Sequence, residues 1–189
     1  MAQDHEIVER CLDGDERAYE ELVLRYQDRA LRMAIGLVGD SQLAEDAVQD
    51  AFVRCFRGLP KLDAGVAFST WLYQSVVWAA RTHARSRRRW VALLGRLGAA
   101  PTSGPSYEKS DTRATLLAGV RELPAKLREV VMLRYYLDLP EAEMATMLEC
   151  PVGTIKSRTS VALKRLRRVP GLSDLVADSG MGGISNVRT

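Results

Sequence analysis

The chain has 189 residues, of which 47% are hydrophobic, 27% are charged and 6% are aromatic, and this composition is that of a globular protein. No run of eighteen apolar residues occurs, which excludes a membrane-spanning helix, and the polar, acidic start lacks the apolar region of a secretion signal. Three widely spaced cysteines and two histidines fit neither a disulfide framework nor a metal site. We therefore expect a cytoplasmic protein that uses no metal or other cofactor.

The net charge of +3 is unevenly distributed along the chain. Acidic residues outnumber basic ones over residues 4–50, whereas residues 81–96 contain six arginines and no acid. Residues 156–168 again contain six basic residues and no acid. Two separate basic segments on a nearly neutral chain indicate a polyanion that is contacted at two places. The alternative is that each segment is the solvated face of a helix.

The hydrophobic pattern is helical throughout, and the first two helices have recognisable boundaries. Asp4 is a candidate N-cap for a short helix that stops at Gly14, and Asp15 begins the second helix. Gly39 ends the second helix, because glycine readily adopts the left-handed conformation that follows a helix. The apolar positions of this helix recur at helical spacing, namely Ala18, Leu22, Tyr26, Ala30, Met33 and Leu37.

The third helix is predicted to start at a cap formed by Asp40-Ser41 and to break at Gly58-Leu59-Pro60. Two carboxylates one turn apart, as at Asp46 and Asp50, can bind a metal or transfer protons, but no third carboxylate or histidine at matching spacing supports that use. A solvated face and a docking surface for a basic partner protein remain as interpretations. The apolar face carries Leu43, Ala47, Ala51 and Cys55, with Val48, Phe52 and Phe56 beside them, and the polar stripe carries Asp46, Gln49, Asp50, Val53 and Arg54.

After a loop of about seven residues, a long fourth helix begins near Phe68 and continues into the arginine cluster. Its aromatic residues alternate with arginines, as in platforms that bind single-stranded nucleic acid, where bases stack on rings and arginines follow the backbone. Trp71 and Tyr73 are equally compatible with the core of a small bundle. The predicted core stripe is Phe68, Leu72, Ser75, Val76 and Ala79, and the second stripe is Thr70, Tyr73, Gln74, Val77, Trp78, Arg81 and Arg85.

The composition then changes to that of a linker, rich in Gly, Pro and Ser over residues 95–106. A second helical block follows, with Asp111 as candidate cap for its first helix and a Gly- and Ser-rich tail at its end. No alternating β pattern lasts more than a few residues, so we predict an all-α protein of two helical domains on a tether. The predicted boundaries are 1–90 for the first domain, 91–112 for the linker, 113–169 for the second domain and 170–189 for a flexible tail.

Residues 139–168 have the pattern of a helix-turn-helix. Pro140 and Glu141 open a short helix, Glu149-Cys150-Pro151 form a tight turn, and a second helix starts near Val152. In that motif the N-terminal residues of the second helix meet base edges, and later basic residues lie nearer to phosphates. The alternative is an ordinary helical hairpin with a basic exposed face. Inward positions are Met144, Ala145 and Leu148 in the first helix, and Ile155, Val161 or Ala162, and Leu166 in the second.

In combination, the strings AEDAVQDAF, FSTWLY and PVGTIKSR resemble regions 2 and 4 of an extracytoplasmic-function (group 4) sigma factor of the sigma-70 family. The resemblance covers residues 15–89 and 113–168, in the family's order and with a linker between them. It implies a non-catalytic subunit that binds core RNA polymerase, recognises the −35 and −10 promoter elements and promotes melting. It also implies control by an anti-sigma factor.

The resemblance assigns roles by position. The third helix would bind the clamp helices of the β′ subunit, the loop Leu59–Ala67 and the fourth helix would open and read the −10 element, and the last helix would read the −35 element. Other faces of the second domain would contact the β flap. The residues implied are Asp46, Gln49, Asp50, Phe52 and Arg54 for polymerase; Trp71, Tyr73, Gln74, Trp78, Arg81, Arg85 and Arg88 for the −10 element; and Thr154, Lys156, Ser157, Arg158, Ser160 and Lys164 for the −35 element.

The sequence departs from the family at two positions that are expected to determine specificity. Many members have asparagine where this chain has Trp78, and several have a basic or aromatic pair where it has Ser160 and Val161. The promoter sequence of other members therefore does not transfer to this chain. A stand-alone helix-turn-helix repressor is the main alternative, but a ligand-sensing N-terminal half would not need a basic, aromatic helix. A nucleic-acid enzyme lacks a metal cluster or a nucleophile–base pair.

Overall fold

The computed structural model describes residues 2–63, 65–96 and 112–170. Within these ranges the chain forms eight α-helices and no β-strand, which confirms the all-α prediction. The chain divides into two compact units, Met1–Ser103 and Gly104–Thr189. The Gly/Pro/Ser-rich part of the predicted linker, the candidate cap Asp111 and almost all of the predicted tail lie outside the described residues.

In its described part, the N-terminal unit consists of four helices. They are α1 (Ala2–Leu12), α2 (Glu16–Val38), α3 (Ser41–Gly58) and α4 (Phe68–Arg96), and a 3-10 turn at Leu59–Lys61 follows α3. The last helix extends six residues beyond Trp90, into the segment that was predicted as linker.

The predicted boundaries of α2 and α3 are confirmed by their caps. The carboxylate of Asp15 accepts hydrogen bonds from the backbone N–H groups of Arg17 and Ala18, and that of Asp40 accepts one from Leu43 at 3.0 Å. Gly39 ends α2 with φ of 76°, a conformation that favours glycine. Each cap satisfies backbone groups that the helix itself leaves without a partner.

Asp4 does not cap the first helix, contrary to the sequence prediction. It lies in the first turn of α1, where its carboxylate accepts a hydrogen bond from the Tyr26 hydroxyl and forms a 2.7 Å ion pair with Arg25. Both partners belong to α2. Asp4 therefore links α1 to α2 and does not cap the start of α1.

The core of the N-terminal unit lies where α4 packs against both α2 and α3. The predicted core stripe of α4 is confirmed, since all five of its residues are buried. Cys55 of α3 is fully buried there, and its thiol donates a hydrogen bond to the Ser75 hydroxyl of α4 at 3.6 Å. Burial raises the pKa of the Cys55 thiol to about 11, because an apolar environment disfavours the thiolate. The largest fully enclosed side chains are Phe68, Leu22, Met33, Leu72, Val76 and Val77.

Gly58, the last residue of α3, leaves room for the indole of Trp71. A Cβ atom at Gly58 would lie 2.8 Å from Cζ2 of Trp71, closer than van der Waals contact allows. The half-buried Trp71 ring also packs edge-on against the buried ring of Phe68, at 6.4 Å between centroids. The small residue at position 58 is therefore required by packing and not by its backbone conformation.

We expect Gly58→Ala to lower the free energy of unfolding by about 1–3 kcal/mol, the usual effect of overpacking. Thermal and urea unfolding followed by circular dichroism measure this change. Gly153→Ala is the matched control, because a Cβ there meets nothing within 4 Å and alanine is the better helix former. Equal stability of the two variants would contradict the proposed contact.

In its described part, the C-terminal unit consists of four helices and one wider turn. They are α5 (Thr112–Glu122), α6 (Ala125–Val131), a π-helical turn (Met132–Tyr136), α7 (Glu141–Met147) and α8 (Val152–Leu166). α8 packs against α6 and α7. The buried residues that hold this unit together include Val130, Val131, Leu133, Met144, Met147, Leu148, Ile155, Ala162 and Leu166.

The turn between α7 and α8 is as tight as the sequence predicts. Glu149 adopts a φ of 52°, and the backbone N–H of Cys150 donates a 3.0 Å hydrogen bond to the carbonyl of Ala145. The sequence left either Val161 or Ala162 as the inward position of α8. In the structure Ala162 is buried and Val161 is 42% exposed. The helix-turn-helix is therefore formed, with the basic side of α8 left outside the core.

Candidate protein and nucleic-acid interfaces

The polar face of α3 forms one exposed strip on the N-terminal unit. Gln49, Asp50 and Arg54 are exposed, and Asp46 is half-buried. Positions 46, 50 and 54 are four residues apart, so they follow one another along a single side of the helix. The strip places two carboxylates and one guanidinium along one side of the helix.

Phe52, which the resemblance assigns to polymerase binding, does not lie on this strip, and the structure corrects that assignment. The residue is 7% exposed, and its backbone carbonyl accepts a hydrogen bond from the Tyr19 hydroxyl of α2. Phe56, which the sequence placed beside the apolar face, is instead 55% exposed and packs edge-on against Tyr19, at 4.6 Å between ring centroids. The aromatic residue that α3 offers to a partner is therefore Phe56.

An apolar groove runs between α2 and α3, and the sequence analysis did not identify it. Its volume is about 610 Å³. A usable signal was present, because Val53 and Phe56 interrupt the polar side of α3 one turn apart. The groove borders the exposed strip, since Gln49 belongs to both. The lining residues are Tyr19, Val23, Gln27, Asp28, Leu31, Glu45, Val48, Gln49, Phe52, Val53, Phe56 and Arg57.

Tyr73 is the second predicted contact residue that the structure corrects. It is 4% exposed, and its ring lies edge-on to that of Tyr26, at 6.3 Å between centroids. Val77, from the same predicted stripe, is 2% exposed. The reason is that α4 is covered by two helices, α2 and α3. Its buried stripe is therefore wider than that of an amphipathic helix that packs against one neighbour.

The remaining predicted residues of α4 are more accessible. Trp78 is 50% exposed, and Trp71 and Gln74 are half-buried. The three arginines of the predicted site, Arg81, Arg85 and Arg88, are exposed along the helix. Arg87, also in the basic cluster, forms an ion pair with the α3 cap Asp40 and thus anchors α4 to the start of α3.

Two contacts connect the α3 strip to the exposed side of α4. Nε2 of His83 lies 2.8 Å from Oδ2 of Asp50. The guanidinium carbon of Arg54 lies 4.5 Å from the centroid of the Trp78 ring. The two surfaces that the sequence assigns to different partners therefore adjoin, and their residues contact each other.

The exposed side of α8 is basic and hydroxyl-rich. Lys156, Ser157, Ser160 and Lys164 are exposed, and Thr154 and Arg158 are half-buried. These side chains make few contacts: Nζ of Lys156 lies 3.8 Å from Oε2 of Glu141, and Nη1 of Arg158 lies 3.7 Å from Sγ of Cys150. Long cationic side chains held this loosely remain able to reach base edges or phosphates.

Two kinds of feature are absent from the described residues. Within residues 2–63, 65–96 and 112–170, no three His, Cys, Asp or Glu side chains group as metal ligands would. In the same part of the chain, none of the helices combines the length and apolar character that crossing a membrane requires. What the structure does present is a mixed-charge strip with an apolar groove on one unit and basic helices on both.

Comparison with known proteins finds a matching family for each of the two units. The family described as "Sigma-70 region 2" matches residues 22–90, and the family described as "Sigma-70, region 4" matches residues 113–166. Over 169 residues, the chain is 34% identical to the RNA polymerase sigma-H factor of Pseudomonas aeruginosa, covering 82% of this chain and 88% of that protein. It is 31% identical over 168 residues to the ECF RNA polymerase sigma-E factor of Escherichia coli K12, covering 82% and 87%.

Solved structures share the fold. The structure of CnrH in complex with the cytosolic domain of CnrY superposes with a TM-score of 0.64 at 22% identity, covering 93% of this chain and 98% of that one. The sigma factor RpoE of Bartonella quintana, in complex with the anti-sigma factor NepR, gives a TM-score of 0.65 at 23% identity, covering 80% and 95%.

Proposed function

Because this chain belongs to the extracytoplasmic-function sigma factors of the sigma-70 family, we propose that it binds core RNA polymerase and directs it to its own set of promoters. Sigma factors are non-catalytic subunits that act at transcription initiation, so the chain is not itself an enzyme. The observation that carries the proposal is the order of surfaces along the chain. A mixed-charge strip and a basic helix on the first unit are followed by a basic helix-turn-helix on the second.

Run-off transcription tests the proposal. The purified chain is mixed with core RNA polymerase and a library of genomic fragments, and the transcripts are sequenced. We expect transcripts with defined starts that appear only when the chain is present, and these starts reveal the promoter sequence. Transcription that is the same with and without the chain would contradict the proposal.

The proposed reader of the −35 element is α8. Its first turns carry Thr154, Lys156 and Arg158, and its end carries further basic residues such as Arg167. In a helix-turn-helix the early residues of the second helix reach base edges in the major groove, while later cations lie against the phosphates. Loss of a base contact and loss of a phosphate contact therefore have different signatures.

We expect Lys156→Ala and Arg158→Ala each to cost about 1–3 kcal/mol on the proper promoter and to relax sequence preference. Arg167→Ala should weaken binding to all sequences alike and lower the salt slope by about one unit. Holoenzyme binding to matched and scrambled −35 fragments across a salt series measures both quantities. The same uniform loss in all three variants would contradict the proposed register of α8 in the groove.

The proposed −10 site combines the loop Leu59–Ala67 with the exposed residues of α4. Trp78 offers a half-exposed indole, and arginines lie along the same helix. Bases become available for stacking only when they leave the duplex. We expect Trp78→Ala to reduce open-complex formation more than closed-complex binding, as measured by permanganate footprinting and by electrophoretic mobility. Normal promoter melting with Trp78→Ala would contradict base stacking on the indole and would leave Trp78 with a packing role only.

We also propose that an anti-sigma factor restrains the chain. Relatives of the same fold support the idea, since RpoE of Bartonella quintana forms a complex with the anti-sigma factor NepR. The groove of about 610 Å³ beside the α3 strip offers apolar surface that a competing helix can fill. An inhibitor that binds the sequestered arrangement of the chain about 10⁴-fold more tightly than the free arrangement shifts the population almost completely to the sequestered one.

Affinity purification of the tagged chain from resting and stressed cells tests for this inhibitor. We expect a partner that protects the Asp46–Arg54 face or the Lys156–Arg168 helix from hydrogen exchange. Recovery of polymerase subunits alone under both conditions would contradict control by a bound partner. Control would then depend on synthesis and degradation of the chain, or on its C-terminal tail acting in cis.

A further inference from the structure

We propose that Arg54 and Trp78 act as one stacking unit for a single unpaired base, with Arg54 as the residue that positions the indole. The inference rests on the proposed function for the identity of the strand, since the base would belong to the opened promoter. It assigns Arg54 to the nucleic-acid site, whereas the family resemblance assigns the same position to polymerase binding.

The geometry of the pair carries the inference. The guanidinium carbon of Arg54 lies over the Trp78 ring at 4.5 Å from its centroid, within the range of a cation–π contact. Trp78 nevertheless keeps 50% of its surface exposed. The guanidinium therefore covers one face of the indole, and accessible ring surface remains for a second planar group.

The pair connects two helices, which fixes the ring more firmly than a contact within one helix. Arg54 extends from α3 and Trp78 from α4, and these helices share the buried core around Cys55 and Ser75. An exposed tryptophan on a helix otherwise samples several rotamers, and ordering it on binding costs side-chain entropy. A ring that is held in advance avoids part of that cost.

The charge of Arg54 does not compete with the stacked contact. Its neighbour on the same helix face, Asp50, is engaged by His83 at 2.8 Å. Within the described ranges of the chain no ion pair to Arg54 is formed. Arg54 is therefore not drawn away from the indole by a carboxylate, and its guanidinium can stay stacked on the Trp78 ring.

Arginine is the appropriate residue for this position. Its guanidinium is planar and weakly hydrated, so it stacks on an aromatic face, whereas lysine offers a compact, strongly hydrated charge.

Binding of a fluorescent single strand to the full-length chain, without polymerase, tests the proposal. The probe is an oligo(dT) 12-mer with one central 2-aminopurine, whose fluorescence is quenched on stacking. The variants are Arg54→Ala, Arg54→Lys, Trp78→Ala and the double Arg54→Ala/Trp78→Ala. Arg57→Ala is the matched control, because it removes an exposed arginine from the same helix one turn away from the stack.

We expect the wild-type chain to quench the probe and Trp78→Ala to weaken binding by about 5- to 100-fold. Arg54→Ala should weaken it by about two- to fivefold and reduce quenching, with Arg54→Lys between the wild type and Arg54→Ala. The double variant should bind no more weakly than Trp78→Ala, because the arginine acts through the ring. All variants should retain the helicity of the wild type.

Three results would overturn the inference. They are an absence of quenching with the wild-type chain, losses from Arg54→Ala and Trp78→Ala that simply add in the double variant, and equal effects of Arg54→Ala and Arg57→Ala. A drop in polymerase affinity of Arg54→Ala with unchanged probe binding would give Arg54 to polymerase alone and would also overturn it. Failure of the proposed function is seen separately, as the absence of promoter-dependent transcription by the wild-type chain.

Discussion

Replacing Asp46 and Asp50 together by alanine should weaken binding of core RNA polymerase by at least about 30-fold. Truncating one partner of a hydrogen-bonded charge pair at an interface costs about 2–5 kcal/mol, much of it from the charge left without its partner. Both carboxylates lie on the outer side of α3 and make no contribution to the core, so the fold should persist. Titration of labelled core polymerase, with circular dichroism as a check of helicity, measures both effects.

The double variant Glu6→Ala/Glu20→Ala is the control for net charge. It removes two exposed carboxylates from the same unit but away from the α3 strip. Its affinity for polymerase should equal that of the wild-type chain. Unchanged affinity of the Asp46/Asp50 variant at normal helicity would remove the α3 strip from the proposed polymerase interface.

Phe68→Ala should lower the free energy of unfolding of the N-terminal unit by about 3–5 kcal/mol, a large part of the stability of a small domain. Phe68 is 2% exposed, and its ring lies 5.7 Å from that of Tyr26 and 6.4 Å from that of Trp71. It is also the first residue of α4. Its loss would therefore loosen the loop that the −10 proposal uses.

Tryptophan fluorescence is a selective probe for this measurement, because Trp71, Trp78 and Trp90 all belong to the N-terminal unit. Urea unfolding of Phe68→Ala should show an earlier midpoint of the fluorescence transition. Phe56→Ala is the matched control, since Phe56 is 55% exposed and its removal leaves no internal cavity. Similar midpoints for the two variants would contradict the packing described around Phe68.

The sequence predicted helix boundaries well where the signal is local. Asp15, Gly39 and Asp40 act on backbone groups within a few residues of themselves, so their chemistry is readable without a fold. Asp4 is also an aspartate near the start of a helix, as Asp15 and Asp40 are, yet its carboxylate contacts Tyr26 and Arg25 of the next helix. Nothing in the local pattern distinguishes a capping carboxylate from one that pairs with a distant residue.

The site was less predictable because it depends on which helices cover which faces. Tyr73 has the spacing of a contact residue, but α4 is covered on two sides, and Phe52, to which the resemblance gives a contact role, is turned toward the core. The contacts Asp50–His83 and Arg54–Trp78 join residues more than twenty positions apart. Pairs of that kind follow from tertiary packing and are not encoded in any window of the sequence.

The rate at which the buried thiol of Cys55 is labelled can report how often the N-terminal unit opens. With a pKa of about 11, only about one thiol in a thousand is ionised at pH 8 while the side chain stays buried. Alkylation must therefore wait until α3 and α4 separate, while the half-buried Cys11 and Cys150 react earlier. The labelling rate of Cys55 reports how often the two helices part. A partner that holds the α3 strip against α4 should slow that labelling rate, and the slowing measures how strongly the partner binds.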